Sequence, residues 1–215
     1  TLLTESVQAL VMRRLVVADG AQLRMARQDQ RSAVLQTLGD EVRHLHRMLA
    51  QLMHKDGATA VLELAHHALA SEDTALIISV GPDSLTVGSR VDPQHAARLA
   101  IGMWRAAPDM ALAGPVVESL VAAGRVDEAR TIGQEQLDAS PEGSSLQLLR
   151  AMARLKIHVD EEPDVALALL AKARALLARN SHRPSLSVRL LEAQAHFAAG
   201  RFSAAEAVAR AACAT

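Results

Sequence analysis

Proline, glycine and alanine recur in this chain at an interval that few folds permit. Pro108 and Pro141 stand 33 residues apart, as do Ala96 and Ala129. Ala-Gly-Arg-Val-Asp-Glu-Ala at 123–129 returns as Ala-Gly-Arg-Phe-Ser-Ala-Ala at 199–205, and Ala166 and Ala205 continue the small-residue series at intervals of 37 and 39. A period in the mid-thirties, with Gly between two helical patterns and Pro closing the second, signals stacked helical hairpins. Gly124 and Gly200 fall where the first helix of a hairpin ends and the chain reverses, a place for left-handed backbone. Ala96, Ala129, Ala166 and Ala205 fit the point where two helices cross closely.

Composition agrees. The chain has 215 residues, enough for a sizeable core, with no Tyr, one Trp and two Phe. Its apolar mass is Ala, Leu, Val and Met, which favours helix and argues against most β-sandwiches and barrels. The expected class is all-α. A formal net charge of −1 recruits neither nucleic acid nor an anionic membrane surface. No apolar run approaches the ~18–20 residues of a membrane helix. The lone Cys213 cannot form an intrachain disulfide, so a cytoplasmic setting is expected. The chain begins without Met and stops inside a helical pattern, as a piece of a longer soluble protein would.

Three regions are expected. Residues 1–72 form an N-terminal helical hairpin region. Within it, 5–18 reads as a short helix closed by Asp19-Gly20. Val34, Leu38, Val42, Leu45, Leu49 and Leu52 form an a/d-like stripe on a helix of about 30–54. Asp56-Gly57 breaks that helix, and 58–70 returns, burying the stripe against itself or a second copy of the chain. Residues 73–92 form a connector whose Leu76–Val80, Gly81-Pro82-Asp83-Ser84 and Leu85–Val87 predict a short β-hairpin. Residues 93–215 form the repeat domain. Asp92-Pro93 starts its first helix, which Pro108 ends. Further helices are expected at about 110–122, 126–139, 143–158, 163–179, 185–198 and 203–213.

On this punctuation, residues 93–215 resemble the tetratricopeptide repeat, an α-solenoid of helical hairpins. The departures are the missing aromatic early in each first helix and the Val117, Ala151 and Ala193 that stand where the family has Gly. The resemblance implies a concave groove lined by first helices that takes a peptide or a partner helix. In this chain the lining would be Ala111, Gly114, Glu118, Val121 and Ala122, then Ser145, Leu148, Met152, Leu155 and Lys156, then Ser187, Leu190, Gln194, Phe197 and Ala198. Partner-binding residues are expected to be Glu118, Val121, Met152, Leu155, Lys156, Leu190, Gln194 and Phe197. With one cation, Lys156, such a groove suits an apolar helix or segment better than an acidic tail.

Other chemistry is thinly represented. Glu41-Val42-Arg43-His44 and Glu63-Leu64-Ala65-His66 are two Glu-x-x-His motifs, with His46, His54 and His67 nearby. Di-iron bundles use such pairs, yet also need a Glu from each of two more helices. A long His-bearing hairpin is also faintly similar to the dimerisation region of histidine kinases, although no glycine boxes for ATP follow. No Gly-x-Ser-x-Gly, phosphate loop or Cys/His dyad appears, and Cys213 reads as a packing residue. The functional expectation is a non-catalytic scaffold or regulatory module, without metal or cofactor, that binds a protein or peptide and self-associates through its N-terminal helices. The alternative is metal-binding or phosphotransfer chemistry on the His/Glu-rich hairpin 41–67.

Overall fold

The computed structural model describes the backbone of residues 16–19, 22–25 and 40, and residues 41–55, 57, 60–140, 145–179 and 185–213 in full. Two compact units divide the chain, residues 1–46 and 47–215. In the first, strands β1 (Val16–Asp19) and β2 (Gln22–Met25) pair antiparallel, with Val16 opposite Met25 and Asp19 opposite Gln22. The end of the helix expected over 5–18 is therefore strand. Adjacent β-branched Val16 and Val17 favour extended backbone over helix. The rest of that expected helix lies outside the described residues, as do Val34 and Leu38.

Helix α1 (Asp40–Lys55) corresponds to the later part of the helix expected at 30–54. The second unit takes it up at Arg47 and continues through α2 (Val61–Ala70), α3 (Thr74–Val91), α4 (Pro93–Ala106), α5 (Met110–Ala122), α6 (Val126–Ala139), α7 (Leu146–His158), α8 (Pro163–Arg179), α9 (Leu186–Ala198) and α10 (Phe202–Cys213). The described residues of this unit are helix and turn throughout.

Local signals account for most boundaries. Asp73, Asp92, Asp109, Ser145 and Ser185 each cap a helix by accepting a backbone N–H with the side chain, satisfying donors the helix leaves open. Gly124 and Gly200 carry φ of +77° and +72°. At each, the N–H of the following arginine reaches back five residues, Arg125 to the Leu120 carbonyl and Arg201 to that of His196. This is the left-handed closure for which Gly is suited.

The connector corrects the sequence reading. Residues 74–91 are one helix, and no strand occurs there. Its buried positions are Ile77, Val80, Gly81, Ser84, Leu85 and Gly88, a helical spacing of threes and fours. β-Branched residues and Gly81-Pro82 suggested a hairpin because local propensity is weak beside a face that tertiary packing buries. Pro82 sits in the helix interior, where the Ile78 carbonyl loses its N–H partner.

Packing explains the glycines. Helices α3, α5, α7 and α9 each pack on the next of the series, and each also packs on the helix that follows it. A Cβ on Gly81 would come within 2.5 Å of Leu112 Cδ2 on α5, and one on Gly114 within 2.6 Å and 2.7 Å of the Gln147 and Leu148 backbone. Gly81-Pro82 and Gly114-Pro115 are also 33 residues apart. The hairpin α3–α4 thus repeats in α5–α6, and the recurrence begins before residue 93. Ala96, Ala129, Ala166 and Ala205 are all buried.

The returning arm does not cover the leucines of the α1 stripe, which corrects that part of the expectation. Leu45, Met48, Leu49 and Leu52 are exposed. The helix instead buries Ala50, with Met53 packed beside it. Ala50 is turned about 100° or more around the helix from Leu45, Leu49 and Leu52, so burying it leaves the leucines in solvent.

Two classes of glycine should separate in denaturant unfolding. Gly124→Ala and Gly200→Ala meet no atom within 4 Å and should lose about 1–2 kcal/mol, the cost of left-handed backbone alone. Gly114→Ala gains helix propensity but must push α7 away, and should lose about 1–3 kcal/mol net. Equal stability of Gly114→Ala and the wild type would refute the close approach.

Candidate functional site

The last hairpin carries an open apolar groove. Helix α9 begins at its Ser185 cap and ends at the Gly200 turn, where the Gly200 N–H bonds to the Phe197 carbonyl at 2.9 Å. That turn brings Phe197, near the end of α9, against Phe202, the first residue of α10. Their rings meet edge to face with centroids 5.3 Å apart, a favoured aromatic geometry. Yet Phe197 is 66 % and Phe202 62 % exposed. They border a groove of about 700 Å³ formed by Leu190, Ala193, Gln194, Phe197 and Ala198 of α9, by Phe202, Ala205, Glu206 and Ala209 of α10, and by Ile157 and His158 at the end of α7. Gln194, Glu206 and His158 are its polar members.

The expected partner-binding residues divide between this groove and the interior. Leu190, Gln194 and Phe197 line it together. Met152 and Leu155 are fully buried, as is Leu148. Val121 is half-buried against the core. Glu118 bonds Arg154 across α5 and α7 at 3.3 Å. Met152 and Lys156 border a separate recess of about 340 Å³ between α6, α7 and α8, so Phe197 and Met152 do not share one lining. Phe202, missed from sequence, was legible as one of two phenylalanines in the chain, set directly after the Gly-Arg turn.

Lys156 is not a free cation. Its Nζ lies 2.8 Å from Glu162 Oε2 and 2.9 Å from Asp160 Oδ2. Asp160 also accepts a hydrogen bond of 2.6 Å from Arg130, which bonds Asp127 as well. The Glu162 and Asp160 hydrogen bonds hold the Lys156 ammonium above its usual range. The Arg130 bond, aided by Lys156, holds the Asp160 carboxyl below its ordinary value although burial opposes this.

The two Glu-x-x-His motifs point to solvent: Glu41, His44, Glu63 and His66 are all exposed. The His66 and His67 rings lie 5.5 Å apart, tilted by 59°. A carboxylate-bridged metal pair in a bundle draws its ligands from inward-facing positions, and these four do not occupy such positions. Cys213 is exposed, so the packing residue near the end of α10 is Ala212. Among the described residues, no helix is long and apolar enough to cross a membrane.

The lowered Asp160 pKa fixes a sign. Its contribution to stability is complete above the ordinary carboxylate value of 3.8 and is lost as pH falls through the lower folded value. Asp160→Asn should cost about 1 kcal/mol at pH 7 and flatten the acid limb of the stability curve below about pH 4. Thermal melts of both proteins from pH 7 to pH 2 check this, and parallel curves would remove the assignment.

No family model matches this chain, and no curated protein or solved structure is significantly similar to it.

Proposed function

We propose that this chain is a non-catalytic, cytoplasmic scaffold or regulatory module of tetratricopeptide-like helical hairpins, an α-solenoid that holds an apolar segment of a protein partner. The observation that carries the reading is the exposed Phe197–Phe202 pair bordering the groove between α9 and α10. Two large aromatic rings left in water beside Leu190 and several alanines cost free energy that a bound apolar surface would recover. Aromatic side chains at the centre of a groove are also the usual anchors of protein interfaces. The recurrence of Gly-Pro pairs and buried alanines supports the hairpin-repeat architecture. The solvent-facing Glu-x-x-His motifs weigh against a carboxylate-bridged metal pair.

The groove can be tested with a panel of fluorescein-labelled amphipathic helical peptides, apolar on one face and neutral on the other. Peptides that bind should lose about 1–3 kcal/mol of affinity on Phe197→Ala and on Phe202→Ala, and much less on Glu118→Ala or Lys156→Ala. Affinity should vary little with salt because the neutral peptides add no charge. Peptide binding that ignores both phenylalanine changes would place the docking surface elsewhere and defeat the reading.

The proposal includes self-association through the N-terminal helices, for which the exposed Leu45, Leu49 and Leu52 on α1 are the candidate contact. Leu49→Asp should convert an oligomer to monomers in sedimentation velocity while leaving the melting temperature within a few degrees, since an exposed site contributes little to the fold. An unchanged oligomer in that variant would clear α1 of the role.

A further inference from the structure

Helix α1 turns one apolar seam away from the core. At 3.6 residues per turn, Leu45, Met48 and Leu52 fall on one side of the helix, opposite the buried Ala50. Each of the three is more than half exposed, and Leu49 extends the patch along one edge. Contiguous apolar surface of this kind marks contact with another molecule. Charged residues close both ends of the seam. Glu41 lies four residues before Leu45 and Lys55 three after Leu52, on the same side of the helix, and both are exposed. Neither takes part in an ion pair among the described residues.

The two charges are placed symmetrically. Glu41 and Lys55 lie seven residues before and after Met48, about 10.5 Å along the axis in each direction. A second α1 laid antiparallel across Met48 sets Glu41 of each copy beside Lys55 of the other, at both ends of the seam. Leu45 of one copy then meets Leu52 of the other to within one residue. A parallel pairing instead sets Glu41 against Glu41 and Lys55 against Lys55. Opposite charges at facing positions favour association, and like charges oppose it. The helix dipoles act in the same sense, because antiparallel helices bring the N-terminal end of one beside the C-terminal end of the other. A two-fold axis through Met48 makes the contact isologous, one seam complementing itself.

We infer that α1 pairs with α1 of a second copy of this chain, antiparallel and crossing at Met48. Leu45, Met48 and Leu52 are sealed between the helices, and two Glu41–Lys55 ion pairs close the ends. This rests on the self-association proposed above and specifies its geometry. The apolar residues supply the affinity, and the end charges choose the direction.

The test is crosslinking of the full chain carrying Cys213→Ser, which removes the exposed native thiol. Two further variants, Glu41→Cys and Lys55→Cys, are treated with a short bismaleimide, separately and as a mixture. The mixture should yield a covalent dimer joining position 41 of one chain to position 55 of the other, and neither variant alone should yield more than a trace. Without crosslinker, Glu41→Lys should weaken the dimer about two- to tenfold in sedimentation equilibrium, as should Lys55→Glu, and the two changes together should restore it. Mixed crosslinks with that recovery support the antiparallel pair. Crosslinks formed within each variant alone, or a dimer that Leu49→Asp dissolves but that gives no mixed crosslink, overturn the antiparallel pairing and leave self-association through α1 standing. A monomer, or a dimer that ignores both Leu49→Asp and the charge reversals, overturns both, and the seam then belongs to a different partner. The reading of the Phe197 groove is untouched by either result.

Discussion

The close approach of consecutive first helices is the constraint on which the second unit depends. At Gly114 the backbone of the neighbouring helix comes so near that a single methyl group would collide with it, and at Gly81 the tip of the Leu112 side chain fills that space. A clash with backbone, as at Gly114, cannot relax without moving a whole helix in an interior packed this densely. The second helices answer with buried alanines at 96, 129, 166 and 205. Much of the core is accordingly built from small residues and leucines, and the scarcity of aromatics follows from the same geometry. A chain whose helices lie this close has little room for rings inside, and its two phenylalanines lie on the surface.

The Gly-Pro pairs show what this packing overrides. Pro82 and Pro115 each stand inside a helix, where proline costs roughly 3 kcal/mol relative to Ala. The helices persist because their buried faces supply more than that. Helix α3 buries Ile77, Val80 and Leu85, and α5 buries Leu112, Val116, Val117 and Leu120. The Thr86 hydroxyl donates to the Pro82 carbonyl at 2.8 Å, one of several side-chain bonds that follow the helix past the break.

The groove at the last hairpin follows from the same logic applied to one more face. In the hairpin α5–α6, whose helices meet α7, Gly114, Val117, Ala129 and Gly133 are buried while Val121 is half-buried. In the last hairpin the corresponding face is a groove with two exposed rings. The residues there are no less apolar than in the filled positions.

Much of the helix order was determined by the sequence alone. Asp92-Pro93 marks a helix start, Gly124 and Gly200 mark reversals, and helices α4, α5, α6, α8, α9 and α10 lie within about a residue of the expected ranges. These signals are local: a cap needs one side chain and one N–H, and a left-handed turn needs one residue without a Cβ. Leu190, Gln194 and Phe197, assigned to a groove by the repeat register, do line one, whereas the same register assigned Met152 and Leu155, which are buried. Tertiary structure alone decided three matters. It made 74–91 a helix, because burial of one face outweighs the β-propensity of Ile77, Ile78 and Val80. It sent Met152 and Leu155 into the core and left Leu45, Leu49 and Leu52 in solvent, although periodicity marks all of them as one apolar class. Periodicity states that a helix has an apolar face, whereas the neighbours present in space decide whether that face is covered.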